Sequence, residues 1–165
     1  MERSYGVRKA EQPRKGVAVD LLAHSPYVPD MAEFVALVEL GSNAVRCLLA
    51  SVDPRIGFEV LLEEREQTRL GSGLPGHLPP LAVQKTVSIV CRFLREVREQ
   101  YQPRVLAVAT SAVRDANNRG ELLSKLKRDA DIDVRILSGV EEAYVGARAA
   151  LWSLWLQEST GADLG

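Results

Sequence analysis

Histidine and cysteine are scarce in this sequence, two of each in 165 residues, and the scarcity excludes whole classes of chemistry. His24 and His77 lie in irregular, proline-containing segments, so no Ser-His-Asp or Cys-His arrangement for nucleophilic catalysis can be drawn. Cys47 and Cys91 each sit inside an apolar periodic pattern with no second Cys or His at metal-ligand spacing, which argues against a zinc centre and predicts reduced core thiols. No apolar run approaches the length of a bilayer span, and Asp20 interrupts VAVDLLA, the one N-terminal stretch that resembles a signal peptide. A cytoplasmic protein is expected. Excess charge is missing too: 21 Lys and Arg stand against 22 Asp and Glu, so no global basic field draws the chain to nucleic acid or to a membrane. Any anion site must be local.

What is present is ordinary globular material, 46% hydrophobic and 26% charged, enough for one domain with a real core. Residues 1–33 show no sustained period and contain Pro13, Pro26 and Pro29, so they read as an irregular N-terminal extension. From Phe34 the pattern sharpens. Two apolar runs, to Leu40 and from Ala44 to Ala50, meet at Gly41-Ser42-Asn43. This is either a plain β-hairpin turn or a loop able to hold a phosphate, because Gly41 can adopt a positive φ and the next two side chains are short and polar.

A third strand begins at Phe58 and extends to about residue 67, and residues 71–80, with three Gly and three Pro, form a loop. Leu81, Val83, Val87, Val90, Cys91, Leu94, Val97 and Tyr101 recur at helical spacing and predict one buried face of a long helix, with Lys85, Arg92, Arg95, Glu96 and Glu99 on a solvated one. Pro103 ends that helix. Val105–Ala109 reads as a buried strand running into a polar loop, 110–117, the position at which open α/β sheets bind ligands. A helix from Arg119 to Asp129 follows, then a strand over Val134–Leu137. A last helix runs from Gly139 to about Gln157, with Tyr144, Ala147, Leu151, Leu154 and Trp155 on one side. Three strands followed by alternating helices and strands predict an α/β layer with a mixed five-stranded sheet, antiparallel first and parallel after.

Two groups carry possible chemistry. Ser138-Gly139-Val140-Glu141 fits a capping box, and Glu141 and Glu142 stand at a helix N-terminus where the macrodipole favours negative charge. Structure accounts for them; so would a carboxylate that deprotonates water for attack on phosphorus. Arg114 either pairs with Asp115 or a helix end, or offers its planar fork to phosphate oxygens.

Taken together, VELGSNAVRCLLA, TRLGSGL, ATSAVRDANN and SGVEEA resemble, in order and spacing, the N-terminal part of the exopolyphosphatase and guanosine pentaphosphate phosphohydrolase (Ppx/GppA) family. The resemblance implies a ribonuclease-H-like first domain of the actin, sugar kinase and Hsp70 superfamily over 34–158, with 159–165 as the truncated start of a second phosphate loop. It implies a first phosphate loop at Gly41, Ser42 and Asn43, phosphate contacts from Thr110 and Arg114, and Glu141 as the carboxylate that activates water. Its reaction releases terminal phosphate from polyphosphate or guanosine pentaphosphate with Mg²⁺, held through Glu39, where the family has Asp, and Asp163. The implied partners are that substrate and either a second-domain chain or a second copy of this one. A rival reading is a non-catalytic module that binds a phosphate ligand or a partner chain.

Overall fold

The computed structural model describes residues 8–9, 33–53 and 57–149. The expectations placed on 1–7, 10–32, 54–56 and 150–165, which include Leu151, Leu154, Trp155 and Asp163, lie outside the described residues. The strands are β1 (Arg8–Lys9), β2 (Glu33–Leu40), β3 (Ala44–Asp53), β4 (Gly57–Gln67), β5 (Arg104–Ala109) and β6 (Val134–Ile136). They lie in one sheet in the order β1-β4-β3-β2-β5-β6. The first four are joined antiparallel, whereas β2, β5 and β6 run parallel. The five predicted strands are all present, and Arg8–Lys9 adds a short sixth at one edge, inside a segment expected to be irregular.

The helices are α1 (Pro80–Tyr101), α2 (Ser111–Arg114) and α3 (Arg119–Ala130), with α4 helical over 139–149. Pro80 opens α1 at a position where no backbone donor is needed. The helix stops at Gln102, whose backbone turns left-handed at φ 46 ahead of Pro103. One apolar face of the sheet, built from Ala36, Val38, Leu40, Val45, Cys47 and Leu49, packs under α1 and α3. Phe93 and Leu94 of α1 and Leu122 and Leu126 of α3 are buried there, and each side chain withdrawn from water contributes about 1.5–3 kcal/mol.

Two expectations about the faces of α1 need correction. Leu81 is 80% exposed, because the buried positions of α1 begin at Ala82 and Val83 and Leu81 falls on the far side. Cys91 is half-exposed, in a shallow groove between α1 and α3 with Arg98 and Asp129, while Cys47 is fully buried and burial pushes its thiol up to about 12. Arg92 is exposed, as expected for the solvated face, and it also bridges two carboxylates of β4, Glu64 at 2.7 Å and Glu66 at 2.8 Å. It fastens α1 to the sheet.

The other face of the sheet carries the alternate residues: Glu39 of β2, Val108 of β5 and Arg135 of β6 stand side by side in register, with Leu37 beside Leu106. α4 begins beyond β6 and is exposed along 143–149. Tyr144, expected on its covered side, is 59% exposed, and Val140 is 81% exposed.

Candidate functional site

Parallel strands deliver their following segments to one edge of a sheet. Here β2, β5 and β6 end in 41–43, 110–114 and 138–142, so these three segments gather at the carboxyl edge.

The first is a hairpin turn in that position. Gly41 N–H donates to the Ala44 carbonyl at 3.1 Å, and a Cβ on Gly41 would stand 2.9 Å from that same oxygen. Close approach therefore demands the glycine; its φ is not positive, unlike those of Gly57 and Gly76. Behind the turn runs a 3₁₀ turn, Leu70–Gly73, within a stretch read as loop from 71 onward. Gly71 N–H donates to the Ser42 carbonyl at 2.8 Å, and Thr68 and Arg69 N–H both donate to the Asn43 carbonyl. This backing is itself held in place. Asn118 accepts from Leu78 N–H at 2.7 Å and donates to the Leu78 carbonyl at 3.1 Å.

The second segment, expected as loop, contains one turn of helix. The Thr110 carbonyl accepts from Val113 and Arg114 N–H, and Thr110 N–H donates to the Leu40 carbonyl at 3.3 Å. Ala112 and Val113 drive this turn into the core, which leaves Ser111 and Arg114 half-exposed. The Ser111 hydroxyl meets that of Ser42 at 3.1 Å. The Thr110 hydroxyl makes no capping bond.

Arg114 joins the second segment to the third. Its Nη1 donates to the Leu137 carbonyl at 3.0 Å and to Glu142 Oε2 at 3.1 Å, and its Nε donates to Asp115 Oδ1 at 3.2 Å. The Glu142 bond, with the Asp115 charge behind it, pushes the guanidinium above its usual pKa. Nη2 has no partner among the described residues, so the fork is oriented and half open.

The adjacent glutamates differ. On a helix, neighbours diverge by about 100°, and these two face different partners. Glu141 closes the capping box: Ser138 N–H donates to its Oε2 at 2.8 Å, and its own N–H donates to Ser138 Oγ at 3.2 Å. Its Oε1 is held by Arg135. The Ser138 bonds and then Arg135 lower its pKa to about 2, which leaves a weak base with both oxygens engaged. Glu142 has one oxygen on Arg114 and its Oε1 without a partner among the described residues.

Of the predicted site residues, then, Gly41, Ser42, Asn43, Thr110 and Arg114 share the strand-end edge, and Glu141 stands beside them facing Arg135 rather than Arg114. Glu39 is half-buried on the opposite face from the core, beside Val108. Its cross-strand neighbour Arg46 pairs with Glu63 at 3.3 Å, and Glu39 makes no ion pair among the described residues. No group of three His, Cys, Asp or Glu that could hold a metal occurs among the described residues; of the two residues expected to hold Mg²⁺, Glu39 lies within them and Asp163 outside. Sequence reading missed Ser111, Glu142 as Arg114's partner, and Arg135. Ser111 and Glu142 lay inside quoted motifs; nothing local marks Arg135.

The sequence over 48–165 matches the model of the Ppx/GppA phosphatase family. The Aquifex aeolicus member of that family superposes with a TM-score of 0.60 at 28% identity, over 66% of this chain and 36% of its own. An exopolyphosphatase-like protein gives a TM-score of 0.64 at 28% identity, over 69% and 35% respectively. An exopolyphosphatase from Cytophaga hutchinsonii shares the fold, with a TM-score of 0.61 at 23% identity over 66% and 35%. The sheet and its helices thus have the ribonuclease-H-like, actin-like ATPase fold. The chain spans about a third of the length of these solved relatives.

Proposed function

The chain belongs to the Ppx/GppA phosphatase family, and from that premise we propose that its strand-end edge is one wall of a phosphohydrolase cleft. The substrate class is a terminal phosphoanhydride, in inorganic polyphosphate or guanosine pentaphosphate. The observation that carries the reading is Arg114: three protein acceptors orient it, while Nη2 stays open to a phosphate oxygen. Gly41, Ser42, Asn43 and Thr110 line the same edge and add hydroxyl and amide groups of the kind that grip phosphate.

The water-activating carboxylate in this proposal is Glu142 in place of Glu141. Its Oε1 has no protein partner among the described residues and lies on the carboxylate that touches Arg114, so a water held there would stand next to the bound phosphate. Glu141 holds the helix start in place. Bound Mg²⁺ would offset charge on the phosphates. Glu39 fits it in the way Mg²⁺ is commonly held, through one or two carboxylates with water and substrate oxygens completing the shell, and Asp163 is proposed as the second carboxylate by family likeness. A facing wall from a second domain or a second copy is part of the proposal, since exclusion of water strengthens every electrostatic contact to the phosphates. A cytoplasmic setting is proposed with it; no helix among the described residues is long and apolar enough to cross a membrane.

The test is orthophosphate release from polyphosphate with Mg²⁺, alongside tripolyphosphate binding, on the full chain. Loss of release in Glu142→Gln with near-normal release in Glu141→Gln is expected. The reverse pattern overturns the assignment of the base. Binding without release in the unaltered chain would favour the phosphate-binding module, and absence of binding would remove both readings.

A further inference from the structure

We propose that Ser111 is a positioning residue that aims the Ser42 hydroxyl at bound phosphate, an inference resting on the phosphate-site reading above. Each serine hydroxyl offers one proton and two lone pairs. The 3.1 Å contact between Ser42 Oγ and Ser111 Oγ uses one of the pair's two protons. With Ser111 donating, the Ser42 proton is left to an outside acceptor, and the strongest acceptor at a phosphate edge is a phosphate oxygen.

Ser42 has little freedom to find that direction by itself. Its carbonyl is fixed by Gly71 N–H at 2.8 Å, and Gly71 passes so close that a Cβ there would lie 3.1 Å from Ser42 Cβ. The backbone is therefore set from behind, and only the hydroxyl rotor remains to be chosen. Ser111 is well placed to choose it. It is the first residue of a turn anchored in the core by Ala112 and Val113, so its oxygen is a stationary reference beside Ser42. The same contact ties the loop after β2 to the segment after β5, and the two loops then present their donors as a unit.

The experiment is titration of the full chain with inorganic tripolyphosphate, followed through the backbone amides of residues 41–43 by NMR, in the unaltered protein, Ser111→Ala, Ser42→Ala and the double variant. One lost hydrogen bond to a charged acceptor should weaken binding about tenfold in Ser42→Ala, and loss of its orientation about fivefold in Ser111→Ala. The double variant should bind no more weakly than Ser42→Ala, because a group that acts only through Ser42 has nothing left to orient. Additive losses, or Ser111→Ala binding at full strength, would overturn the role of Ser111 while leaving the phosphate reading standing. If the unaltered chain shows no saturable shift, the phosphate reading falls and this inference with it.

Discussion

Two arginines in this molecule each bridge a pair of carboxylates, and the surroundings give them opposite work. Arg92 spans Glu64 and Glu66 beneath α1, where the Glu64 side chain is 5% exposed and its second oxygen has no partner. Arg114 spans Asp115 and Glu142 at the strand ends, where those side chains are 57% and 40% exposed. A buried carboxylate cannot exchange its arginine for water without a large desolvation penalty, so Arg92 is committed to holding the helix on the sheet. Exposed carboxylates are already half hydrated, and Nη2 of Arg114, without a partner among the described residues, is the group proposed above to meet a phosphate oxygen. The difference lies in the partner carboxylates and not in the arginines, since Arg92 is 56% exposed and Arg114 29%; on the reading proposed above, only Arg114 is left to bind a ligand.

The sharpest way to break this contrast is Arg92→Ala. It should lower unfolding stability by about 2 kcal/mol in urea titration, less than a fully buried pair because Arg92 itself is half exposed, and leave tripolyphosphate affinity unchanged. A negligible stability change would show that Glu64 is not dependent on it. Next in size is Gly41→Ala. The new Cβ meets the Ala44 carbonyl at 2.9 Å, so the turn must shift, with an expected cost of about 1–2 kcal/mol and weaker tripolyphosphate binding in the same titration.

Arg114→Ala should invert the Arg92 result. Its urea midpoint should stay within error of the unaltered chain, while the tripolyphosphate Kd rises about tenfold or more. A drop in stability with unchanged affinity would make Arg114 a second Arg92. The smallest effect is expected at Glu141. Its carboxyl is held down at about 2 from the usual 4.5, so the folded state binds its proton less readily than the unfolded one. Its contribution is then complete above about pH 4.5 and fades as pH falls toward 2. Amide exchange at residues 138–142 should accelerate over that window, and Glu141→Gln should remove the dependence.

Elements set by periodicity were readable from the chain. The predicted bounds of β2 and α1 agree with the observed ones to within a residue, and β3 starts where expected and runs three residues past Ala50, because alternation and helical spacing follow directly from backbone geometry. The single turn of α2 was not readable: four residues hold too few apolar positions for a period, and its helical bonds depend on Ala112 and Val113 finding the core. Leu81 and Tyr144 show a related limit. A pattern names an apolar stripe, but what lies against each end of it is a tertiary matter.

The site divides in the same way. Gly41-Ser42-Asn43 was visible with two readings open: the segment is a hairpin turn, and the parallel partner β5 places it at the strand-end edge, where the phosphate reading stands as a proposal. The capping box at Ser138 and Glu141 was visible because its four residues are contiguous, and both of its hydrogen bonds form. Contiguity could not reveal that completing the box with Arg135 leaves Glu141 a weak base, nor that Glu142, one step around the helix, faces Arg114.

What the sequence determined by itself was the order and kind of its longer elements, the family, and the short-range contacts among neighbours, since all of these depend on spacing along the chain. The tertiary structure alone decided which carboxylate meets which arginine, which of the two arginines is paired with a buried carboxylate, and that Ser42 and Ser111, 69 positions apart, share a hydrogen bond. Such pairings depend on distances in space and on burial, and both arise only when the parallel strands bring remote segments to a common edge.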